Sequence, residues 1–390
     1  MNLKTLSKVC LLFFIYILVA YFYIGLTSVP HEGDSLNYHI PIAKSYLNGD
    51  IFFPEKIKGA VFLKHSPGAS EGILSVLYLF GIPPNLYNVF GVIFLFFSLL
   101  FLGKNFKLSK ELNIIFAASI VTLNGIVRWL DTQIIDIYLA AFFVLSLALL
   151  KKPEKKISYF IKLGLVFGML IGSKYTGMLF ASVLIIIFIR NLLPFLSFRN
   201  IVAFATPFFL AGLSWYLRNY LRTGNPTYPQ GFLFFKDAGF DILKFQVIKV
   251  VTGSWYGLVG TLNAFVSEYM IWVLAVPIAL YSGVKKLLKR TSGDEGIYSL
   301  LLVGILNLII YAFLPSDNKD YIMVSVIRYS YSAMIPFILA LFLVAKKLKK
   351  EKLIGVVAVA NMMWVGFPTL YNPKLVFIFI PIALFAFFKD

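Results

Sequence analysis

Residues 84–103 read Pro-Asn-Leu-Tyr-Asn-Val-Phe-Gly-Val-Ile-Phe-Leu-Phe-Phe-Ser-Leu-Leu-Phe-Leu-Gly, and Lys104, Lys107 and Lys110 follow at once. About twenty residues without a charge are what a helix needs to cross the hydrocarbon core of a bilayer. A basic cluster just beyond such a run marks the cytoplasmic end of a span. The same alternation recurs along all 390 residues. The chain is 59% hydrophobic and 14% charged, with a mean hydropathy of +0.84. A water-exposed surface needs roughly a quarter of its residues charged. The expected fold class is therefore an all-α polytopic integral membrane protein.

About twelve spans are predicted, at 8–28, 84–103, 112–130, 133–150, 157–173, 176–192, 200–217, 264–284, 296–314, 328–345, 353–370 and 373–388. Basic clusters follow the even-numbered spans: Lys104/Lys107/Lys110, Lys151/Lys152/Lys155/Lys156, Lys285/Lys286/Lys289/Arg290 and Lys346/Lys347/Lys349/Lys350/Lys352. With Lys4, Lys8, Arg190, Arg199 and Lys389 they make 21 of the 36 basic residues. Both termini are then expected in the cytoplasm. Twelve of the 18 acids fall on or near the opposite side, among them Glu32, Asp34, Glu71, Asp131, Asp136 and Glu268. Insertion does not require that placement, because Asp and Glu contribute little to orientation. The outer face is where carboxylates are expected to act.

The single cysteine, Cys10, excludes an internal disulfide and any cysteine-rich metal centre. The net charge of +18 is accounted for by the span-flanking clusters. No basic tail, zinc-finger spacing or aromatic RNA-binding motif accompanies it, so nucleic acid is not an expected partner. The first span has no small-x-small cleavage site near Thr27-Ser28-Val29-Pro30 and reads as an uncleaved anchor. The chain reads as one transmembrane domain over 1–390, without a separate soluble domain.

Two outer segments are long enough to hold structure, 29–83 and 218–262. In the first, Leu36, Ile40, Ala43 and Leu47 recur at helical spacing and predict an amphipathic helix lying on the membrane. Asp34 or Ser35 would cap it. A second helix is predicted over 69–81, ended by Gly81-Ile82-Pro83-Pro84. The other segment opens on the turn-rich Thr223-Gly224-Asn225-Pro226-Thr227-Tyr228-Pro229, and 230–251 suits an interfacial helix.

Asp34 stands a few residues beyond the first span, where partial desolvation would suit a carboxylate to accept a proton; the plainer reading is a helix N-cap. Asp136 opens Ile-Tyr-Leu-Ala-Ala-Phe-Phe, inside the apolar boundary, where an ionisable residue points to function. Asp131, five residues earlier, fits a solvated loop. Lys64, Lys174, Arg218, Arg222 and Arg328 gather on the same side. Singly each could snorkel to headgroups; converging, they would bind a phosphate through charge-assisted hydrogen bonds. Glu32, His39, Glu71, Asp131 and Tyr329 are supporting candidates. His31, His39 and His65 all fall in the first outer segment, but their spacing matches no zinc motif, so a divalent metal is not expected. Trp129, Trp215 and Trp255 read as an interfacial aromatic belt.

Several motifs stand in order: Asp34-Ser-Leu-Asn-Tyr-His-Ile-Pro after span 1, Asp136 entering span 4, and Gly172-Ser-Lys-Tyr-Thr-Gly after span 5. Trp215-Tyr-Leu-Arg-Asn-Tyr-Leu-Arg-Thr-Gly-Asn-Pro-Thr-Tyr-Pro and Arg328-Tyr329 follow. Together they resemble the GT-C superfamily of polytopic glycosyltransferases, family 39-like, in the branch of protein O-mannosyltransferases and the aminoarabinose transferase of lipid A. The resemblance covers nearly the whole chain. It implies a polyprenyl-phosphate sugar donor, an acceptor reached from the outer face and a single displacement with inversion. It casts Asp34 as the general base and Asp136 as the second acid. Lys64-His65-Ser66-Pro67 partly matches the donor-phosphate motif of the aminoarabinose branch, with Leu63 where that branch has a metal-ligating Glu. Lys64, Lys174, Arg218 and Arg328 are the expected donor-phosphate ligands, and no cofactor is required. Relatives often carry a C-terminal soluble domain, absent here, so acceptor selectivity would come from the loops. The competing reading is a transporter or flippase for a lipid-linked or anionic solute. That class often shows paired halves and charges near the bilayer midplane, and this sequence shows neither.

Overall fold

A computed structural model describes residues 2–50, 64–231, 234–235, 246–288, 295–316, 322 and 324–369. The described residues are helices and turns, with one isolated antiparallel bridge between Gln246 and Pro315. Six described helices are long and apolar enough to cross a membrane: Leu3–Thr27, Pro84–Asn105, Tyr175–Phe195, Phe198–Thr223, Trp255–Tyr281 and Ser325–Lys347. Ile157–Ser173 and Gly296–Ala312 are shorter apolar helices. The predicted span 373–388, most of 230–251, and Glu55, Asp237, Asp241, Asp317, Asp320, Lys289, Arg290 and Lys389 lie outside the described residues.

The expected span 112–130 is not one helix. Lys110–Val121 is capped by Ser109 and stops at Thr122, and a single turn, Asn124–Val127, follows. Asn124 Nδ2 donates to the Ser267 carbonyl at 2.7 Å, and the Tyr331 hydroxyl bonds the Gly125 carbonyl. These distant partners satisfy backbone and side chain where the helix breaks. The span placed at 264–284 begins earlier, at Trp255. Ser254 caps it there, and a tight turn at Met270–Leu274 interrupts it.

The chain clusters into two compact units. One comprises Met1–Ala20, Leu99–Arg128 and Ile242–Asp390; the other comprises Tyr21–Ser98 and Trp129–Asp241. In the second unit, Ile157–Ser173 packs along Phe198–Phe208 and the wide turn Phe209–Leu213 through Gly164, Gly168 and Gly172. A Cβ on Gly164 would lie 2.1 Å from the Phe204 carbonyl oxygen, and one on Gly172 2.2 Å from that of Ala211. Small residues four apart let two membrane helices approach backbone to backbone, where dispersion supplies the association that hydrophobicity cannot. Pro207, which has no N–H to donate, stands two residues before the start of the wide turn.

The helix expected from Leu36, Ile40, Ala43 and Leu47 forms, with Ile40 and Ala43 of that stripe buried, 7% and 0% exposed. Ser35–His39 is a π turn that continues into the α-helix Ile40–Leu47. Ser35, His39, Ile42 and Tyr46 turn inward, while Leu36 and Leu47 stay 50% and 44% exposed. The wide turn shifts the register, and buried hydrogen-bond partners hold the polar face inward. The second helix forms over Ala69–Leu79, as predicted, and packs on the first.

Candidate functional site

The N-terminus of the Asp34 helix is held by Glu32. Its carboxylate accepts the Asp34 N–H at 2.9 Å, the Ser35 N–H at 2.7 Å and the Ser35 hydroxyl at 2.7 Å. The expectation that Asp34 or Ser35 would cap is thus corrected. A glutamate two residues earlier reaches the same orphan donors, and Asp34 makes no side-chain cap bond. Asp34 is half-buried in the first helical turn. Ser35 Oγ also accepts the Gln133 N–H at 2.9 Å, and Gln133 Nε2 donates to Asn85 Oδ1 at 2.8 Å. Asn88 Nδ2 gathers the carbonyls of Trp129, Thr132 and Ile134. The Asp34 turn and the loop that leads into Asp136 are therefore pinned to one another by polar side chains inside an apolar bundle. π turns of this kind recur at functional sites.

Behind Asp34, His39 Nδ1 lies 2.8 Å from Glu71 Oε1, with both side chains 2% exposed. Glu71 Oε2 is buried without a hydrogen-bond partner. One residue before Glu71, Ser70 Oγ donates to Ser173 Oγ at 2.7 Å, and the Tyr87 hydroxyl donates to the Ser70 carbonyl. Ser173 ends one helix and Tyr175 begins the next, and Lys174 between them has an extended backbone. Lys174 Nζ lies 2.9 Å from Asp136 Oδ1; Asp136 is 3% exposed and Lys174 25%. Asp136 sits in the first turn of its own helix, where the helix dipole favours a carboxylate.

The Lys64 segment is held by its backbone. The His65 carbonyl accepts from the Tyr175 hydroxyl and from Asn219 Nδ2, each at 2.7 Å. Arg218 Nη2 donates to the Ser66 carbonyl at 3.1 Å, and Arg218 Nε and Nη2 both reach Asn219 Oδ1. The guanidinium lies over the Trp215 ring, 5.1 Å from its centroid, and Trp215 stacks on Tyr46. Trp215 is buried, with Arg218 and Tyr46 both against its ring. Gly68 fits here for want of a side chain, since a Cβ would fall 1.8 Å from the Tyr46 hydroxyl. Burial, with Arg218, Arg222 and Lys64 nearby, pushes the His65 imidazole down to about 4. His65 is therefore neutral at pH 7, and its ring meets the edge of Tyr228.

The second unit thus brings together Glu32, Asp34, His39, Glu71, Asp136 and Lys174 on interlocked helices, with Lys64 on a segment beside Tyr175 that Arg218 braces from its helix. Asp131 lies 3.9 Å from His31, and burial raises its carboxyl above the usual range against the pull of that histidine. Arg328 and Tyr329 belong to the other unit, where the Arg328 guanidinium lies 5.4 Å from the Tyr329 ring centroid. The three histidines face three different partners, Asp131, Glu71 and Tyr228. Among the described residues no three His, Cys, Asp or Glu side chains gather as a metal-sized group.

Sequence reading passed over Asn85, Asn88, Gln133 and Asn219, the amides that tie the loops down. Uncharged amides beside apolar runs were their only signal. It also passed over the pairing of Arg128 with Glu268 in the first unit, at 2.9 Å with Glu268 1% exposed.

No protein-family model matches the chain, and no curated protein matches its sequence. Among solved structures, the chain is similar to ArnT from Cupriavidus metallidurans in the apo state. The TM-score is 0.59 at 12% identity, over 96% of this chain and 68% of that one. It is equally similar to ArnT of the same organism bound to undecaprenyl phosphate, with a TM-score of 0.60 at 12% identity, over 96% and 69%. The agreement extends over nearly all of this chain, so the helical architecture described above is the ArnT fold.

Proposed function

We propose that the protein transfers a sugar from a polyprenyl-phosphate donor to an acceptor at the outer face of the cytoplasmic membrane, with both termini in the cytoplasm. The observation that carries the reading is the fold shared with ArnT, one solved form of which holds undecaprenyl phosphate. This chain's own acid–cation arrangement on that fold agrees with it. Asp34 is the general base. Glu32 caps the helix and fixes the turn that carries Asp34. The acceptor oxygen attacks the anomeric carbon while the bond from that carbon to the phosphate oxygen breaks. The acceptor proton passes to Asp34, and the polyprenyl phosphate leaves with the electron pair. Proton transfer of this kind contributes about 10²–10⁴-fold.

Lys64 and Lys174 neutralise the departing phosphate. Asp136 holds Lys174 at 2.9 Å and thereby aims it. Arg218 contributes its charge from behind the loop, because its hydrogen bonds to Ser66 and Asn219 fix where Lys64 starts. Preorganised cations cost no reorganisation as charge develops. The donor is a hexosyl or pentosyl lipid, and inversion follows from the single displacement.

The test is release of label from a panel of radiolabelled polyprenyl-phosphate sugars by purified protein in lipid, with Asp34→Asn beside wild type. Wild type should release label from one donor, and Asp34→Asn should lose at least 10²-fold while staying folded. Full activity in the Asn variant would remove Asp34 from the role of base. Donor binding without release, unchanged in the variant, would make the protein a carrier of lipid-linked solutes.

A further inference from the structure

At the end of the second unit that carries Lys151 and Arg190, four helical segments part around a crevice of about 170 Å³. Its walls include Leu150, Phe160, Phe167, Ile189, Leu192 and Phe204, and every lining residue is apolar. Water does not settle in such a space, because a bound water needs two to four polar partners. The crevice opens sideways past Ile185, Leu196 and Ile201, which are 39%, 44% and 49% exposed. In a bilayer that opening faces acyl chains.

The rim is charged. Arg190 follows the wall residue Ile189, Arg199 stands two residues before the wall residue Ile201, and Lys152, Lys155 and Lys156 follow Leu150. Arg190 and Arg199 are both exposed. The one acid there, Glu154, lies 3.9 Å from Lys156. A dry slot for a chain beneath cationic side chains is complementary to a lipid with a negative headgroup.

We propose that this crevice holds one acyl chain of an anionic glycerophospholipid, with its phosphate against Arg190 and Arg199. The site is separate from the donor phosphate of the proposed reaction. Lys174 and Arg190 lie at opposite ends of one helix, and sixteen residues at 1.5 Å each put them about 24 Å apart. Lipid binding here does not rest on the transfer chemistry, so Asp34→Asn should bind the same lipid equally well.

The experiment uses the full chain, delipidated in detergent, with native mass spectrometry against phosphatidylglycerol and phosphatidylcholine of identical acyl chains. Wild type should retain phosphatidylglycerol preferentially. Arg190→Gln and Arg199→Gln should each weaken it about fivefold, and the double variant about thirtyfold, removing the preference. On wild-type protein, phosphatidylglycerol carrying a photoreactive group on its chain should label Phe160–Phe167 and Ile185–Phe204. No headgroup preference in wild type, or label confined to other helices, would overturn the proposal. So would displacement by equimolar undecaprenyl phosphate, which would assign the crevice to the donor chain. Competition by chain-free glycerol phosphate at the same concentration would reduce it to a headgroup site and overturn it as well.

Discussion

Replacing Lys174 by Met leaves the Asp136 carboxylate facing an apolar side chain at a position only 3% exposed. At 2.9 Å the two charges attract by about 6 kcal/mol with an effective dielectric constant of about 20. Much of that offsets what it costs to bring them out of water. Removing one member of a buried pair typically costs about 3–5 kcal/mol, because the other charge stays behind. Lys174 is a quarter exposed, so about 3 kcal/mol is expected for Lys174→Met. Asp136→Asn should cost only about 1 kcal/mol, because the amide keeps the volume and the lysine stem can carry its ammonium toward water. The double variant buries no charge. It should be no worse than Lys174→Met, with a coupling energy of about 2 kcal/mol. The assay is equilibrium unfolding in one detergent at fixed salt, followed by tryptophan fluorescence, for wild type, both single variants and the double. Equal costs for the two single variants, or a double variant equal to their sum, would refute the pairing and with it the positioning of Lys174 by Asp136.

Two further outcomes follow from the same structure. Gly172→Ala should destabilise by about 1–3 kcal/mol, since its Cβ meets the Ala211 carbonyl oxygen. Gly72→Ala, in a helix with nothing within 4 Å, should instead stabilise by about 0.5–1 kcal/mol, and thermal unfolding of the two variants side by side checks the contrast. Folding lowers the His65 imidazole from 6.5 to about 4, so between those values the unfolded chain binds the extra proton. Stability contributed by neutral His65 is complete above pH 6.5 and is lost as pH falls toward 4. Melting temperatures across that window should fall in wild type and flatten in His65→Gln; parallel curves would remove His65 as the cause.

The helices were legible because their cause is local. A membrane span needs about twenty apolar residues, and hydropathy along the chain counts them. Turns and helix ends were legible for the same reason at Gly81-Ile82-Pro83-Pro84, where two prolines prevent continuation. The span 112–130 misled because a mostly apolar run does not report its own break, which here depends on partners more than 140 residues away at Ser267 and Tyr331. Along the Asp34 helix the spacing found the buried Ile40 and Ala43 but not the inward Ser35 and His39, whose partners Gln133 and Glu71 lie far along the chain.

By itself, then, the sequence determined that the chain is a helical membrane protein, since hydropathy acts residue by residue. It also brought Asp34, Asp136 and Lys174 forward, because ionisable groups at an apolar boundary stand out. Only the tertiary structure decided that Glu32 rather than Asp34 caps the helix, that Lys174 pairs with Asp136 and that His39 meets Glu71. It alone shows Arg218 bracing the Lys64 loop against Trp215. Each of these is a choice among several chemically suitable partners. Packing makes that choice, because a buried polar group must be satisfied by whichever partner the fold places within about 3 Å.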